Sequence, residues 1–128
     1  MGACIVDPSK RIVGIGYNGL PTGLSDDAFP WQREGEFTNT KYAYVVHAEL
    51  NAILNAPRQV KGCSLYVSLF PCNECAKAII QSGSKELVYE DDKYADTDAV
   101  LVSKRMLKAA GVSIRKTDHQ VSVSLEVL

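Results

Sequence analysis

The chain has 128 residues and a formal net charge of −1, with 46% hydrophobic and 23% charged residues. These values suit one domain spanning residues 1–128 and exclude a disordered chain, and without a block of Lys and Arg a long nucleic acid is not an expected partner. Since no apolar run approaches the roughly eighteen residues of a membrane-spanning helix and no secretory signal is present, we expect no membrane partner and a reducing, cytoplasmic location.

Two short apolar segments predict a β-hairpin at the start of the chain. The first runs from Gly2 to Asp7, a turn follows at residues 8–10, and the second runs from Arg11 to Tyr17. Gly14 and Gly16 in the second segment indicate a bulge or the close approach of another backbone. For Gly14, room for a large side chain across the sheet explains the glycine equally well.

The long segment after the hairpin is predicted to be a packed, functional loop. It runs from Leu20 to about Thr40, is rich in Pro, Gly and Asp, and has no clear periodicity. Its aromatic residues, Phe29, Trp31 and Phe37, argue against a flexible tail. Asn18, just before this segment, is on its own typical of an ordinary turn residue.

The helical spacing of apolar residues predicts a first helix from Val45 to Ala56, which Pro57 stops. His47 and Glu49 then lie in its first turn, where the positive end of the helix dipole favours an ionised Glu49. Residues two apart point in nearly opposite directions on a helix, so these two can serve one site only at the helix mouth.

A strand that runs directly into a second helix carries two cysteines. The strand is predicted from Cys63 to Phe70, and the helix begins at Pro71 and ends near Gly83. Cys72 and Cys75 are one turn apart at the start of this helix. Both sulfurs can therefore reach one ion.

The rest of the chain predicts two more strands around a third helix, and then a segment of strand character. The elements are a strand at Lys85–Glu90, a helix at Thr97–Ala110, a strand at Val112–Lys116, and an edge strand or terminal arm at Val121–Leu128. Strands joined by a helix of this length pair in parallel. The order of elements therefore predicts a two-layer or three-layer α/β domain with a mixed sheet.

His47, Cys72 and Cys75 are ligand types that zinc prefers, and they occur in the pattern H-A-E followed by P-C-x-x-C. Three protein ligands leave the fourth tetrahedral position open to water, as in catalytic zinc sites, and bound Zn²⁺ lowers the pKa of that water to about 7. Glu49 is placed to move protons at such a site.

Two structural interpretations compete with a catalytic zinc site: a closed zinc knuckle and a redox C-x-x-C pair. A closed site needs a fourth ligand, and His119, Cys4 and Cys63 lie at no suggestive spacing. Cys4 and Cys63 also sit inside apolar runs, where a free cysteine behaves as a small buried hydrophobe. The catalytic interpretation is therefore favoured.

The chain resembles the cytidine deaminase superfamily, and within it the branch that acts on deoxycytidylate (dCMP). The resemblance covers most of the chain and depends on more than the zinc motif. The matching stretches are G-I-G-Y-N-G-L-P, S-D-D followed by P-W, K-Y-x-Y-V-x-H-A-E-L-N-A-I, F-P-C-N-E-C-A-K and D-K-Y-x-D. The resemblance implies a cytidine-deaminase-like layered fold, with a mixed five-stranded sheet and helices on its faces.

The resemblance also implies a reaction, the hydrolytic deamination of dCMP to dUMP and ammonia in pyrimidine deoxynucleotide metabolism. His47, Cys72 and Cys75 would bind one Zn²⁺ per chain. Glu49 would carry a proton from water to N3 of cytosine and then to the departing amine.

Four further residues are implied to contact the substrate. The N–H of Ala48 would bind O2 of the base, and the carbonyl of Phe70 would face the leaving amine. Asn18 would hold the 3′-hydroxyl of the sugar, in place of the plain turn role that it suggests alone. Tyr94 would line the base or phosphate end of the pocket.

Members of this branch are typically homohexamers that dCTP activates and dTTP inhibits. The resemblance implies the same for this chain, with Tyr17, Asn18 and Gly19 near the effector and Mg²⁺ accompanying a triphosphate. Such enzymes usually have a helix before the first strand, whereas this sequence starts almost on the strand. We therefore expect the first family helix to be absent and one sheet face to be bare or covered by a neighbouring subunit.

Recognition of the 5′-phosphate is expected to depend on local cations, since the chain has no general basic field. Arg33, Lys41 and Lys93 adjoin the segments assigned to the pocket. Each of the three is equally well explained as a solvated surface charge.

Two rival functions remain open on the sequence. One is a related deaminase that prefers dCTP or free cytidine, and the other is a non-catalytic, zinc-stabilised module that binds nucleotides. Glu49 argues against the module, because a structural zinc site has no use for an unliganded carboxylate beside the metal.

Overall fold

The computed structural model describes residues 1–117, so Val121–Leu128 and His119 lie outside the described residues. The strands are β1 (Gly2–Val6), β2 (Ile12–Tyr17), β3 (Ser64–Leu69), β4 (Glu86–Asp91) and β5 (Ser113–Lys116). The helices are α1 (Ala48–Asn55), α2 (Asn73–Gln81) and α3 (Asp98–Ala109), with short 3-10 turns at Phe37–Asn39 and Lys41–Ala43. Over residues 1–117, no helix has the length and apolar character needed to cross a membrane.

The strands of residues 1–117 form one mixed sheet in the order β2-β1-β3-β4-β5. β1 pairs antiparallel with β2 and with β3, whereas β3, β4 and β5 run parallel to one another. The parallel pairs are connected through α2 and α3, because parallel neighbours cannot be joined by a tight turn. The predicted mixed five-stranded sheet is confirmed.

All three helices contribute buried side chains to one hydrophobic core. Alternate residues of the central strands face this core, and each helix turns a buried residue toward it. The fully buried residues include Ile5, Leu65 and Leu87 of the strands, and Ala52, Ile79 and Leu107 of the helices. The helices are thereby held against the sheet.

Strand directions bring distant parts of the chain to one edge of the sheet. Since β1 is antiparallel to both β2 and β3, the carboxyl ends of β2, β3 and β4 lie at the same edge. Asn18 follows β2, Phe70 follows β3, and the loop with Lys93 and Tyr94 follows β4. The N–H of Phe70 donates to the carbonyl of Asp91 at 2.8 Å, which ties two of these strand ends together.

The two glycines of β2 allow α1 to pack directly on the strand. A Cβ added to Gly16 would lie 2.2 Å from the carbonyl oxygen of Ala48 and 2.4 Å from the nitrogen of Ala52. A Cβ on Gly14 would lie 2.8 Å from the carbonyl oxygen of Ala52. Close approach of another backbone is therefore the reason for both glycines, including Gly14, for which the sequence left two explanations.

Both site helices begin later than the sequence predicts. His47 is the N-cap of α1 and Cys72 is the N-cap of α2, each with extended backbone (ψ 154° and 173°). The prediction that His47 and Cys72 lie inside the first helical turns is therefore wrong, and Pro71 precedes the cap. The ligand-type side chains therefore come from two N-cap residues and, with Cys75, from one residue within the first turn of α2.

The segment from Leu20 to Thr40 has no helix or strand apart from one 3-10 turn, and local contacts hold parts of it in place. The indole N–H of Trp31 donates to the carbonyl of Asp26 at 3.0 Å, and the ring of Phe29 lies 5.2 Å from that of Tyr44. The aromatic side chains are only partly covered, since Trp31 remains 44% exposed.

We expect Gly16→Ala to lower the free energy of unfolding by about 1 to 3 kcal/mol or more, because the new methyl group would meet backbone atoms that cannot move independently. The measurement is the denaturation midpoint in urea. Gly2→Ala is the matched control, since its Cβ would lie 4.0 Å from its nearest neighbour, the carbonyl oxygen of Gly16. Equal midpoints for the two variants would contradict the packing argument.

Candidate metal and catalytic site

His47, Cys72 and Cys75 converge where α1 and α2 begin. The Nδ1 atom of His47 lies 3.3 Å from the sulfur of Cys75 and 3.6 Å from that of Cys72. Two ligands of one tetrahedral zinc, with Zn–N near 2.0 Å and Zn–S near 2.3 Å, are separated by roughly 3.5 Å. The three atoms therefore have the spacing of ligands around one ion, with Nδ1 as the coordinating nitrogen of the imidazole.

The group has the composition of an open rather than a closed metal site. Among residues 1–117 it has three members, whose ligand atoms lie within 4.8 Å of one another, and Cys4 and Cys63 do not belong to it. Three ligands leave one tetrahedral position for a water or a substrate. Over residues 1–117 no second group of three His, Cys, Asp or Glu side chains converges, so the structure offers no support for the predicted Mg²⁺.

The two thiols of this group differ in acidity. A hydrogen bond from Cys75, together with the His47 ring, lowers the pKa of Cys72. The same hydrogen bond to Cys72, together with burial, raises the pKa of Cys75. A separate hydrogen bond, between the His47 ring and Cys72, raises the pKa of His47. Because a metal requires deprotonated ligands, its binding here would displace protons.

Glu49 lies beside this group and is 7% exposed. Burial raises the pKa of its carboxyl, and a hydrogen bond with Cys75 and the charge of His47 act in the opposite direction. The helix dipole alone predicted an ionised Glu49, but burial is the larger effect; a cation bound nearby would again favour ionisation. Burial favours uptake of a proton by this carboxyl and nearby positive charge favours its release, which are the two steps of general acid–base catalysis.

The side chain of Asn18 lies at the mouth of α1. Its Oδ1 accepts the backbone N–H of Ala48 at 2.8 Å. Because a backbone N–H only donates, Oδ1 faces Ala48 and the Asn18 amide NH₂ is directed elsewhere. The N–H that was predicted to bind the base oxygen thus already has an acceptor, and a base oxygen there would share it in a three-centre bond.

Asn51, which the sequence analysis did not single out, ties the neighbouring segment in place. Its Nδ2 donates to the carbonyl oxygen of Tyr17 at 2.8 Å and approaches that of Val46 at 3.5 Å. Two signals were available in the sequence: Asn51 lies four positions after His47, and it belongs to the stretch H-A-E-L-N-A-I that carries the resemblance.

Phe70, which follows β3, is buried, whereas Tyr94, in the loop after β4, is exposed. The Phe70 ring is buried and meets the ring of Tyr89 edge-on at 5.0 Å. Tyr94 is 51% exposed, and the Lys93 ammonium lies 5.4 Å from its ring centre. Lys104 of α3, also missed by the sequence analysis, lies over the Phe70 ring at 5.2 Å.

The three cations predicted to bind the phosphate have different surroundings. Lys41 lies 5.6 Å from the ring centre of Tyr42, Lys93 lies over Tyr94, and Arg33 is exposed in the long loop. Each cation therefore stands on a different segment. Their assignment to the phosphate stays a prediction.

The segment predicted to lie near an effector borders a cleft of about 380 Å³. Tyr17, Asn18 and Gly19 form one wall, and the long loop contributes Asp26 and Trp31. The cleft shares Asn18 with the mouth of α1. A ligand in the cleft would therefore contact Asn18, which also accepts the Ala48 N–H next to His47.

Comparison with known proteins places these features in a family context. The model for the cytidine and deoxycytidylate deaminase zinc-binding region matches residues 1–91. The human deoxycytidylate deaminase is 57% identical over 118 residues, which are 91% of this chain and 66% of the human protein. A probable deoxycytidylate deaminase from Drosophila melanogaster is 52% identical over 123 residues, 91% of this chain and 61% of that protein.

Solved structures show the same fold. The dCMP deaminase from the cyanophage S-TIM5, in complex with dCMP and dUMP, superposes with a TM-score of 0.67 at 28% identity and covers 91% of this chain and 79% of its own. This chain spans slightly less than two thirds of the length of the human and Drosophila proteins.

We expect the purified protein to hold about one zinc per chain and Cys75→Ser to lose it, because a serine hydroxyl is not ionised near pH 7 and cannot replace a thiolate. Zinc content and the melting midpoint with and without a chelator are the measurements. Cys4→Ser, outside the group, is the control and should keep its metal. Full zinc retention in Cys75→Ser would rule out this ligand set.

Proposed function

The chain belongs to the zinc-binding cytidine and deoxycytidylate deaminase family, and we propose that it converts dCMP to dUMP and ammonia. The observation that carries the proposal is a buried Glu49, whose pKa burial raises, beside an open His47, Cys72, Cys75 group. A purely structural zinc site would not need that carboxyl. The 57% identity to a deoxycytidylate deaminase supports dCMP as the substrate.

His47, Cys72 and Cys75 are proposed to hold the zinc. When bound there, Zn²⁺ supplies the Lewis acidity that makes a water reactive near neutral pH. Glu49 would accept one proton from the attacking water and deliver it to N3 of cytosine as the water oxygen bonds to C4. It would then take the remaining proton from the new C4 hydroxyl and give it to the amine, so that the C4–N bond breaks and ammonia leaves. The raised pKa of Glu49 suits both steps, since one group must take up and release a proton at the same pH.

The remaining contacts orient the nucleotide. We assign the Phe70 carbonyl to the leaving amine and the Ala48 N–H, shared with Asn18, to O2 of the base. The NH₂ of Asn18 is the donor that the sugar 3′-oxygen would meet, because Oδ1 is committed to Ala48. Tyr94 is assigned to the base or phosphate end, on the loop that leaves the same sheet edge as Cys72.

Regulation and assembly are proposed on the resemblance. The cleft bordered by Tyr17, Asn18 and Gly19 is where we place dCTP as activator and dTTP as inhibitor. Support for this comes from its size and from its contact with Asn18. Assembly as a homohexamer is proposed from the family resemblance alone.

The test of the proposed function is ammonia release from cytidine, deoxycytidine, CMP, dCMP and dCTP, measured side by side. We expect the highest kcat/KM with dCMP. A preference for dCTP or free cytidine would replace the proposed substrate. Absence of turnover with all five, in a protein that holds zinc, would mean a non-catalytic module.

Glu49→Gln isolates the proton transfer in this test. It should keep zinc and bind dCMP while losing about 10²-fold or more in kcat, since the amide cannot move a proton. Glu74→Gln, an exposed carboxylate paired with Lys77 on α2, is the matched control and should remain active. Near-normal turnover by Glu49→Gln would contradict the assigned role.

We expect at least one of Arg33→Ala, Lys41→Ala and Lys93→Ala to reduce kcat/KM for dCMP by roughly ten- to a hundredfold, the effect of losing a charge-assisted hydrogen bond. Turnover of deoxycytidine should hardly change, because it has no phosphate. Lys77→Ala, whose ammonium pairs with Glu74, is the control. Equal losses on both substrates, or none, would place the phosphate elsewhere.

A further inference from the structure

Four hydrogen bonds fasten the segment after β2 to the start of α1. Gly19 and Val46 exchange both backbone bonds, at 3.1 and 2.7 Å. The Ala48 N–H donates to Asn18 Oδ1, and the Asn51 amide donates to the carbonyl oxygen of Tyr17. These bonds surround Asn18 on both sides. The direction of the Asn18 side chain thus depends on them.

Asn51 is the one side chain among these contacts that reaches from the helix to the main chain on the far side of Asn18. Its own N–H is used within α1, where it donates to the carbonyl of His47 at 3.0 Å. Its side-chain amide is therefore free to act between segments. With Tyr17 O at 2.8 Å and Val46 O at 3.5 Å, it faces two acceptors, which only a donor can satisfy.

The hydrogen bond from Ala48 does not by itself fix the position of the Asn18 side chain. It sets which end of the amide faces the helix, but the Asn18 backbone is anchored through its neighbours, Tyr17 and Gly19. Gly19 is held by Val46, while Tyr17 ends β2 opposite Gly2 of β1 and is held on its helix side by Asn51. Removing the Asn51 donor would free the Tyr17 carbonyl beside Asn18 without unpairing β2, and would allow the Asn18 NH₂ to move.

We propose that Asn51 is a positioning residue that sets the Asn18 amide for the sugar 3′-hydroxyl, and that it thereby contributes to selection of the sugar. The inference rests on the proposed function and deepens it. Asn51 does not touch the substrate in this scheme; because it also lines the cleft assigned to the effectors, the kinetics are measured without dCTP or dTTP. It acts through the Tyr17 carbonyl, and loss of its donor should weaken only the recognition of the 3′-hydroxyl.

The experiment compares dCMP with 2′,3′-dideoxycytidine 5′-monophosphate, which lacks only the 3′-hydroxyl. The readout is the ratio of kcat/KM for the two substrates. Asn18→Ala should bring this ratio close to one. Asn51→Ala should reduce the ratio about three- to tenfold. The change should appear in KM with little change in kcat, because the contact to the 3′-hydroxyl stabilises the bound substrate and the transition state equally.

Two further variants separate positioning from stability. Asn51→Asp has nearly the same shape but places a carboxylate against two carbonyl oxygens, so it should lower the ratio at least as much as Asn51→Ala. A negative charge in the first turns of a helix is favourable, which limits loss of stability. Leu54→Ala, exposed on α1, should leave the ratio and the zinc content unchanged.

Two outcomes would overturn the inference. One is an unchanged ratio in Asn51→Ala, which equal losses on both substrates would give, and the other is a wild-type ratio near one. Failure of the wild-type protein to release ammonia from dCMP would instead overturn the proposed function. In that case the same comparison is made on dissociation constants of dUMP and 2′,3′-dideoxyuridine 5′-monophosphate, which need no turnover. A selective weakening of dUMP binding in Asn51→Ala supports the inference there, and equal changes overturn it.

Discussion

The close contact between the backbones of α1 and β2 is the constraint on which the site depends. At Gly16 the helix carbonyl of Ala48 and the nitrogen of Ala52 occupy the space that a side chain would need. The first turn of α1 therefore lies directly against the end of β2. Asn18, two residues beyond Gly16, comes within hydrogen-bonding distance of the Ala48 N–H for this reason. A looser packing would separate the Asn18 amide from the helix mouth.

A second helix mouth meets the first because both helices rest on the same sheet face. β3 ends beside β1, and α2 starts immediately after it with Cys72 as its N-cap. His47 has the same position on α1, so the two caps face each other across the group that Cys75 completes. Both helix N-termini carry partial positive charge, which favours a thiolate at Cys72. A metal would thus link two elements that the core already holds together, and its binding would add to folding stability.

Much of this arrangement could be predicted from the sequence because it depends on residues that are close together in the chain. Alternation and helical spacing gave the mixed sheet and three helices, and the pattern H-A-E with P-C-x-x-C identified His47, Cys72 and Cys75 together. Residue chemistry alone restricts that trio to soft or borderline metals. The helix starts were wrong by a few residues, since capping residues and first-turn residues have similar composition but different backbone angles.

What only the tertiary structure decided are relations between segments far apart in the chain. The bond from Ala48 to Asn18 spans 30 positions and that from Asn51 to Tyr17 spans 34, and no local periodicity encodes either. The pKa of Glu49 likewise could not be predicted from its place in a helix, because burial by surrounding elements outweighs the dipole. The sequence by itself determined which groups are present and the helix and strand that carry each. Packing determined which groups meet, since distance and solvent exclusion are properties of the folded chain.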